Sequence, residues 1–345
     1  MNVMDLITLQ HIWYVIFIFS IFAYAALDGF DIGVGCLHLF ARSDSERRLF
    51  INSIGPVWDS NSLWIIISSG VLFAGFPIAF ASLFPAFYMP MTALVLAYIL
   101  RAAAVEFRSK MESITWRKTW DKVFAFASFL LSFGFGFIVA NLIKGIPLNS
   151  DGVKEGSLLS IFSPYSLGLG VFTTLMFMLH GALYLNLKLE GSLQIKVQEW
   201  IGKLYILFLA MWISITMATL VFETHVTEMV RTHPELFLIE FIGIIGIVLL
   251  PKFVAEKKEG WAFISSTIVI ASMVLNYAIG TFPALVPSST FPEKNSLTLF
   301  NSSASSLTMH ILFAIAVIGV PFFLMYCAYA FKVFKGKVEI DSMSY

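Results

Sequence analysis

Nine apolar segments run through almost the whole chain, at about 7–38, 57–76, 79–100, 122–143, 166–187, 201–222, 236–251, 260–281 and 308–331, with short polar connections between them. About 20 residues of helix cross the ~30 Å of a bilayer's hydrocarbon. A helix also satisfies its own backbone polar groups there. The spacing therefore predicts an all-α, polytopic transmembrane protein of about nine helices. Composition agrees: 58% of the 345 residues are hydrophobic and only 13% are charged, against about 25% charged in a soluble domain. Mean hydropathy is +0.84. The seventh segment, "LFLIEFIGIIGIVLLP", is short and carries Glu240, and the second and third almost merge at "AGFP", where Gly75 and Pro77 permit a tight turn. No soluble domain is left over, so the expectation is one integral membrane domain over 1–345.

Net charge is zero and the basic residues form no long run, which argues against a nucleic-acid partner. Cys36 and Cys327 lie in different apolar segments with no metal or haem-attachment spacing. The run 12–26 is followed by Ala23 and Ala25 but preceded by "MNVMDLITLQH", which has no Lys or Arg, so it reads as a first transmembrane helix rather than a cleaved signal.

The connections orient the set. Odd-to-even loops and the carboxy-terminal tail hold 18 of the 22 basic residues, including Arg42, Arg47, Arg48, Arg101, Arg108 and Arg117. The opposite side holds four: Lys144, Lys154, Arg231 and Lys294. The positive-inside rule then puts the amino terminus outside and the carboxy terminus in the cytoplasm.

"LDGFDIGVG" (27–35) falls in the cytoplasmic half of the first helix and carries Asp28 and Asp31. A carboxylate in hydrocarbon costs several kcal/mol unless it is protonated, paired or facing water. Asp59, in "GPVWDSNSLW", and Glu106, in "RAAAVEFRSK", lie near the same membrane face on the second and third helices. Asp59 also suits a helix start, where free N–H groups favour an acid. Glu106 also suits a surface ion pair with its basic neighbours. The glycines around Asp28 and Asp31 suit a close helix crossing. A calcium loop is excluded, since the alternating oxygen ligands and terminal Glu of an EF-hand are missing. The functional reading is a proton route or an ion site, and spacing alone does not choose between them.

Six stretches, taken together, resemble subunit II of the cytochrome bd-type quinol oxidases: "LDGFDIGVG", "NSIGPVWDSNSLW" (52–64), "RAAAVEFRSK" (101–110), "HGALYLNLKLEG" (180–191), "FPALVPSS" (282–289) and "NSSASSLTM" (301–309). They occur in family order across nearly the whole chain. Ser62 departs from the pattern, where a longer polar residue such as Glu or Gln is expected.

The resemblance implies two four-helix bundles plus a peripheral helix in a prokaryotic cytoplasmic membrane. It implies a haem-bearing subunit I that holds haems b and d and reduces oxygen, with quinol as the electron source. A small single-helix accessory subunit and a structurally bound quinone belong to the same expectation, with no residues assigned to them. This chain would bind no haem or metal and have no directly catalytic residue. It would support the haem subunit and help deliver protons through Asp28, Asp31, Asp59 and Glu106, with Trp58, Asn61 and His180 in support. Only His180 among six histidines lies well inside a span, and no pair suits two axial bonds. The proton path would be water-accessible, with Asp59 near its cytoplasmic mouth. Two rivals remain: an autonomous proton- or cation-coupled transporter, against which the absence of paired broken helices counts, and a scaffold in which the acids only pack and cap.

Overall fold

The structure, a computed structural model, describes residues 5–338. It is all-helical apart from one small ribbon. The helices are α1 (Leu6–Leu37), α2 (Asp44–Ile54), α3 (Trp58–Gly75), α4 (Pro77–Ala86), α5 (Tyr88–Phe107), α6 (Ile114–Lys144), α7 (Pro164–Lys188), α8 (Gly191–Phe222), α9 (Glu228–Thr232), α10 (Phe237–Ala255), α11 (Glu259–Thr281), α12 (Pro292–Asn295) and α13 (Ser306–Val333). Eight are long and apolar enough to cross a membrane. The ninth expected span, α3, forms a pair with α2 that bends by 51° after Ile54, where Gly55 and Pro56 interrupt the helix.

Local chemistry sets the ends. The Asp5 carboxylate accepts from the Thr8 N–H at 2.8 Å and starts α1. Ser163 and Ser166 form a reciprocal capping box at the start of α7, with Pro164 in the first turn.

The third span is where the sequence-based boundaries move most. Instead of one helix over 79–100, α4 stops at Ala86 and α5 continues to Phe107. Pro90 has no N–H for the Ala86 carbonyl, and its ring excludes the helical bond there. The span consequently slides toward the basic side, and Arg101 ends up inside it rather than in a loop. Arg101 and Arg108 are each 1% exposed. Without these two, the 18 basic residues on that side become 16, still against four.

α1, α3, α5 and α6 form one four-helix bundle, and α7, α8, α10 and α11 form a second. The two join through α1 and α6 against α7, and α13 lies outside on α3 and α1. Only Met309, Cys327 and Ala330 of α13 are buried. The α1–α7 crossing is set by glycine. A Cβ on Gly33 would strike the Phe177 carbonyl, and one on Gly181 would strike the backbone of Gly33 and Val34.

Away from the basic side, the connections after α6 and α11 lock together. Ile146 N–H donates to the Pro287 carbonyl at 2.9 Å, and Asn295 Nδ2 donates to the Leu148 carbonyl at 2.7 Å. Beside them β1 (Ala284–Val286) pairs antiparallel with β2 (Leu297–Thr298). Reporter fusions in 41–54 and in 282–307 are expected to give opposite signals for the two sides of the membrane. The same signal from both would break the nine-span reading.

Candidate functional site

Asp28 and Asp31 are fully buried, and the first bundle closes around them. Asp28 is on the α1 face that meets α5. Arg101 grips it with both arms of the guanidinium, Nη1 to Oδ2 at 2.9 Å and Nη2 to Oδ1 at 2.6 Å. This forked geometry is the strongest carboxylate pairing a side chain offers. One turn earlier on α5, Tyr98 donates to Asp28 Oδ2 at 3.0 Å, and its oxygen lies 2.6 Å from the Tyr24 hydroxyl. The Ser62 hydroxyl sits 3.3 Å from Asp28 Oδ1 while bonding the Trp58 carbonyl at 2.8 Å. Position 62 thus still faces the acid, with a shorter side chain than the family pattern leads one to expect.

Asp31 is held differently. Asn61 donates to its Oδ2 at 2.8 Å, and the nearest guanidinium nitrogen of Arg101 is 4.0 Å away. Among the described residues Oδ1 of Asp31 has no hydrogen-bond partner, nor do Oδ1 of Asn61 and Nε of Arg101. One cation therefore serves two buried carboxyls, and the one it does not grip keeps an open oxygen. Buried polar atoms of this kind are where internal water binds, given two to four polar neighbours.

A second network closes the same bundle at its basic end. Asp121 on α6 is 1% exposed. It accepts from Arg108 Nε at 2.5 Å and Arg47 Nη1 at 3.1 Å, and lies 2.6 Å from His38 Nε2. Arg108 also reaches Asp44, which Arg117 contacts at 3.2 Å. From sequence, Arg47, Arg108 and Arg117 counted only as basic loop charges, and Asp121, His38 and Asp44 were not singled out as site residues.

The other expected residues lie apart from the buried acids. Asp59 is exposed in the first turn of α3, and Val57, at the cap position, makes no side-chain cap bond. Trp58 beside it is half-buried, as is Glu106 near the end of α5. Arg101 and Arg108, the expected neighbours of Glu106 in a surface ion pair, are turned inward to Asp28 and Asp121. His180 sits between the bundles. Its Nε2–H donates to the Ala26 carbonyl at 2.9 Å, which leaves Nδ1 to meet the Ser266 hydroxyl at 2.7 Å. Both nitrogens are thus engaged, and the ring stacks on Phe263 at 4.6 Å. An axial haem ligand needs a free nitrogen, so His180 as placed does not fit one. Among the described residues no three His, Cys, Asp or Glu gather in a metal-binding group.

The model of the family described as cytochrome bd terminal oxidase subunit II matches residues 9–334. The chain belongs to that family. Cytochrome bd-I ubiquinol oxidase subunit 2 of Escherichia coli K12 is 29% identical, covering 98% of this chain and 97% of its own. Cytochrome bd ubiquinol oxidase subunit 2 of Bacillus subtilis 168 is 28% identical, covering 96% and 97%. A chain of the bd oxidase from Geobacillus thermodenitrificans superposes with a TM-score of 0.74 at 15% identity, over 95% of this chain and 98% of its own, which shows the shared fold. As a cytochrome bd subunit II, the chain is a multi-pass membrane protein and one part of an oxidoreductase complex. Its family works with subunit I, and haems belong to the complex. Arg101, in the middle of "AYILRAAAV", was the missed signal: a lone cation amid apolar residues needs a buried anion, and Asp28 is that anion.

Proposed function

We propose that this chain is the non-haem-ligating subunit II of a quinol-oxidising, oxygen-reducing complex in a prokaryotic cytoplasmic membrane. It braces the haem-bearing subunit I and carries protons inward from the basic, cytoplasmic face, with its amino terminus outside. Haems in the partner supply the electron transfer and the oxygen chemistry. Each oxygen reduced to two waters consumes four protons, and two quinols supply the four electrons. Drawing those protons from the cytoplasm makes turnover electrogenic without a pump.

The observation that carries the reading is the unequal treatment of the two acids. Asp28, gripped by Arg101, is a fixed counter-ion. Asp31, with an open Oδ1 and no gripping cation, is the carboxyl that takes up and releases the proton. Asn61 holds its other oxygen so that the open one keeps its direction. Asp59, exposed at the start of α3, gathers protons at the surface, and Glu106 adds a second acid near that face. His180 fastens α7 to α1 and so keeps the bundle closed beside the acids. The apolar cleft of about 470 Å³ between α1 and α11, lined by Tyr14, Ile18, Phe19, Phe22, Val274 and Phe282, has the lining that suits an isoprenoid quinone tail.

Asp31→Asn preserves shape and the Asn61 contact while removing the exchangeable proton. General acid–base steps contribute about 10²–10⁴-fold, so quinol oxidase turnover of the assembled complex is expected to fall by at least ~10-fold, with a normal haem spectrum. A wild-type rate in a fully assembled complex ends the carboxyl reading. Loss of assembly together with activity makes the acids structural.

A further inference from the structure

We propose that protons gathered at the basic face enter the protein at the Asp121–His38 pair and reach Asp31 along the α1–α6 seam, handed on through the Ser128 hydroxyl. This deepens the carboxyl reading above and rests on it. Asp31, Gly35 and His38, the residue that caps α1, follow one another at intervals of four and three residues, so they share one face of the helix and its end. His38 and Asp31 stand about 10 Å apart along the axis at 1.5 Å per residue.

α6 runs antiparallel against that face and offers a polar group at the levels of His38 and Gly35. Asp121 meets His38 at 2.6 Å. One turn further in, a Cβ on Gly35 would strike the Ser128 hydroxyl, so Ser128 reaches the α1 backbone only because position 35 has no side chain. His38, Ser128 and Asp31 are each 0% exposed. Each carries a polar atom with no hydrogen-bond partner among the described residues: His38 Nδ1, Ser128 Oγ and Asp31 Oδ1. Three such atoms along one helix seam form a row of sites for bridging water.

The lower end of the row reaches the surface. Asp121 is held by Arg47, whose side chain is 22% exposed, and through Arg108 the network meets Asp44, 47% exposed. Arg47 and Arg108 both donate to the Asp121 carboxylate, which therefore accepts from the ring as well, so the nitrogen beside it, Nε2, carries the imidazole hydrogen. Nδ1 is then a bare lone pair, the tautomer control that a carboxylate exerts on a histidine. The charged groups facing the ring are Asp121 from α6, Arg47 from α2 and Arg108 at the end of α5. A proton arriving at Nδ1 makes an imidazolium paired to Asp121. Its departure toward Ser128 and Asp31 restores the neutral ring, and no other bond changes.

His38→Gln tests the route in the purified oxidase complex, because the glutamine amide still donates to Asp121 but takes up no proton. Turnover at saturating quinol and oxygen is expected to fall by at least ~10-fold. The ratio of rates in H₂O and D₂O is expected to rise, with the haem spectrum unchanged. Asp31→Asn is run beside it. Slow turnover in Asp31→Asn with a wild-type rate in His38→Gln overturns this route and leaves the carboxyl reading standing, whereas wild-type rates in both end the two together. A slow His38→Gln complex with an unchanged isotope ratio makes His38 structural and also overturns the route. Should His38→Gln fail to assemble, Ser128→Ala leaves every Asp121 bond in place and reads the same seam. A wild-type rate and isotope ratio there overturn the route, and a slower rate with a raised ratio upholds it.

Discussion

Arg101→Leu is expected to destabilise the protein by about 3–5 kcal/mol, the cost of stripping one partner from a buried ion pair. Both guanidinium bonds to Asp28 disappear, and two carboxyls are left in a site where the acids are 0% exposed and, among the described residues, no other cation pairs with them. Leucine fills part of the volume, so the loss is electrostatic rather than a matter of packing. Measured as the thermal midpoint and yield of the purified complex, Arg101→Leu is expected to fall well below wild type. Adding Asp28→Asn removes the stranded charge and is expected to recover a large part of the loss. Arg101→Leu at wild-type stability, or a double variant no better than the single, would show that the pair is not what holds the site.

How much of this could be read beforehand differs element by element. The spans were legible because hydrocarbon thickness fixes their length: six of the nine agree within four residues at both ends, α6 and α8 begin two to three turns earlier than expected, and the third span slides. The acids were legible because a charge in an apolar run is conspicuous. Their partners were not. Asn61 is 30 residues from Asp31 and Arg101 is 73 from Asp28, and helices that are apolar all round carry no stripe to say which faces meet. Arg101 was counted as a loop charge because the helix break before Pro90 was not foreseen. Asp121 and His38 lie near span ends, where a charged or polar residue looks ordinary until the chain folds. The lock between the two loops away from the basic side depends on backbone pairing between segments more than 130 residues apart, Ile146 with Ser288, and no local pattern announces it.

The glycines were read as close-approach positions without a partner, and α7 proves to be the partner of Gly29 and Gly33, α6 that of Gly35. Gly33→Leu is expected to be as damaging as the loss of Arg101. The first atom of the new side chain would lie on the Phe177 carbonyl and beside the Gly181 N–H, both backbone. Neither can turn aside as a side chain would, so α1 and α7 have to separate. Overpacking alone costs about 1–3 kcal/mol, and separation adds the contacts that depend on the crossing. The His180–Ala26 hydrogen bond at 2.9 Å spans it, and so does the Phe30–Tyr184 stack at 4.0 Å. Together they bring the expected loss above ~3 kcal/mol, read as failure to assemble or a collapsed thermal midpoint. Gly29→Ala is the control one turn away. Its Cβ would meet only the Phe177 ring, at 3.0 Å, and alanine's helix propensity offsets the crowding by up to ~1 kcal/mol, so assembly is expected to survive. If Gly33→Leu assembles as well as Gly29→Ala, the crossing tolerates bulk, and the two bundles are held by something other than this contact. If it does not, the backbone contact of Gly33 with Phe177 and Gly181 is what holds α1 and α7, and with them the two bundles, together.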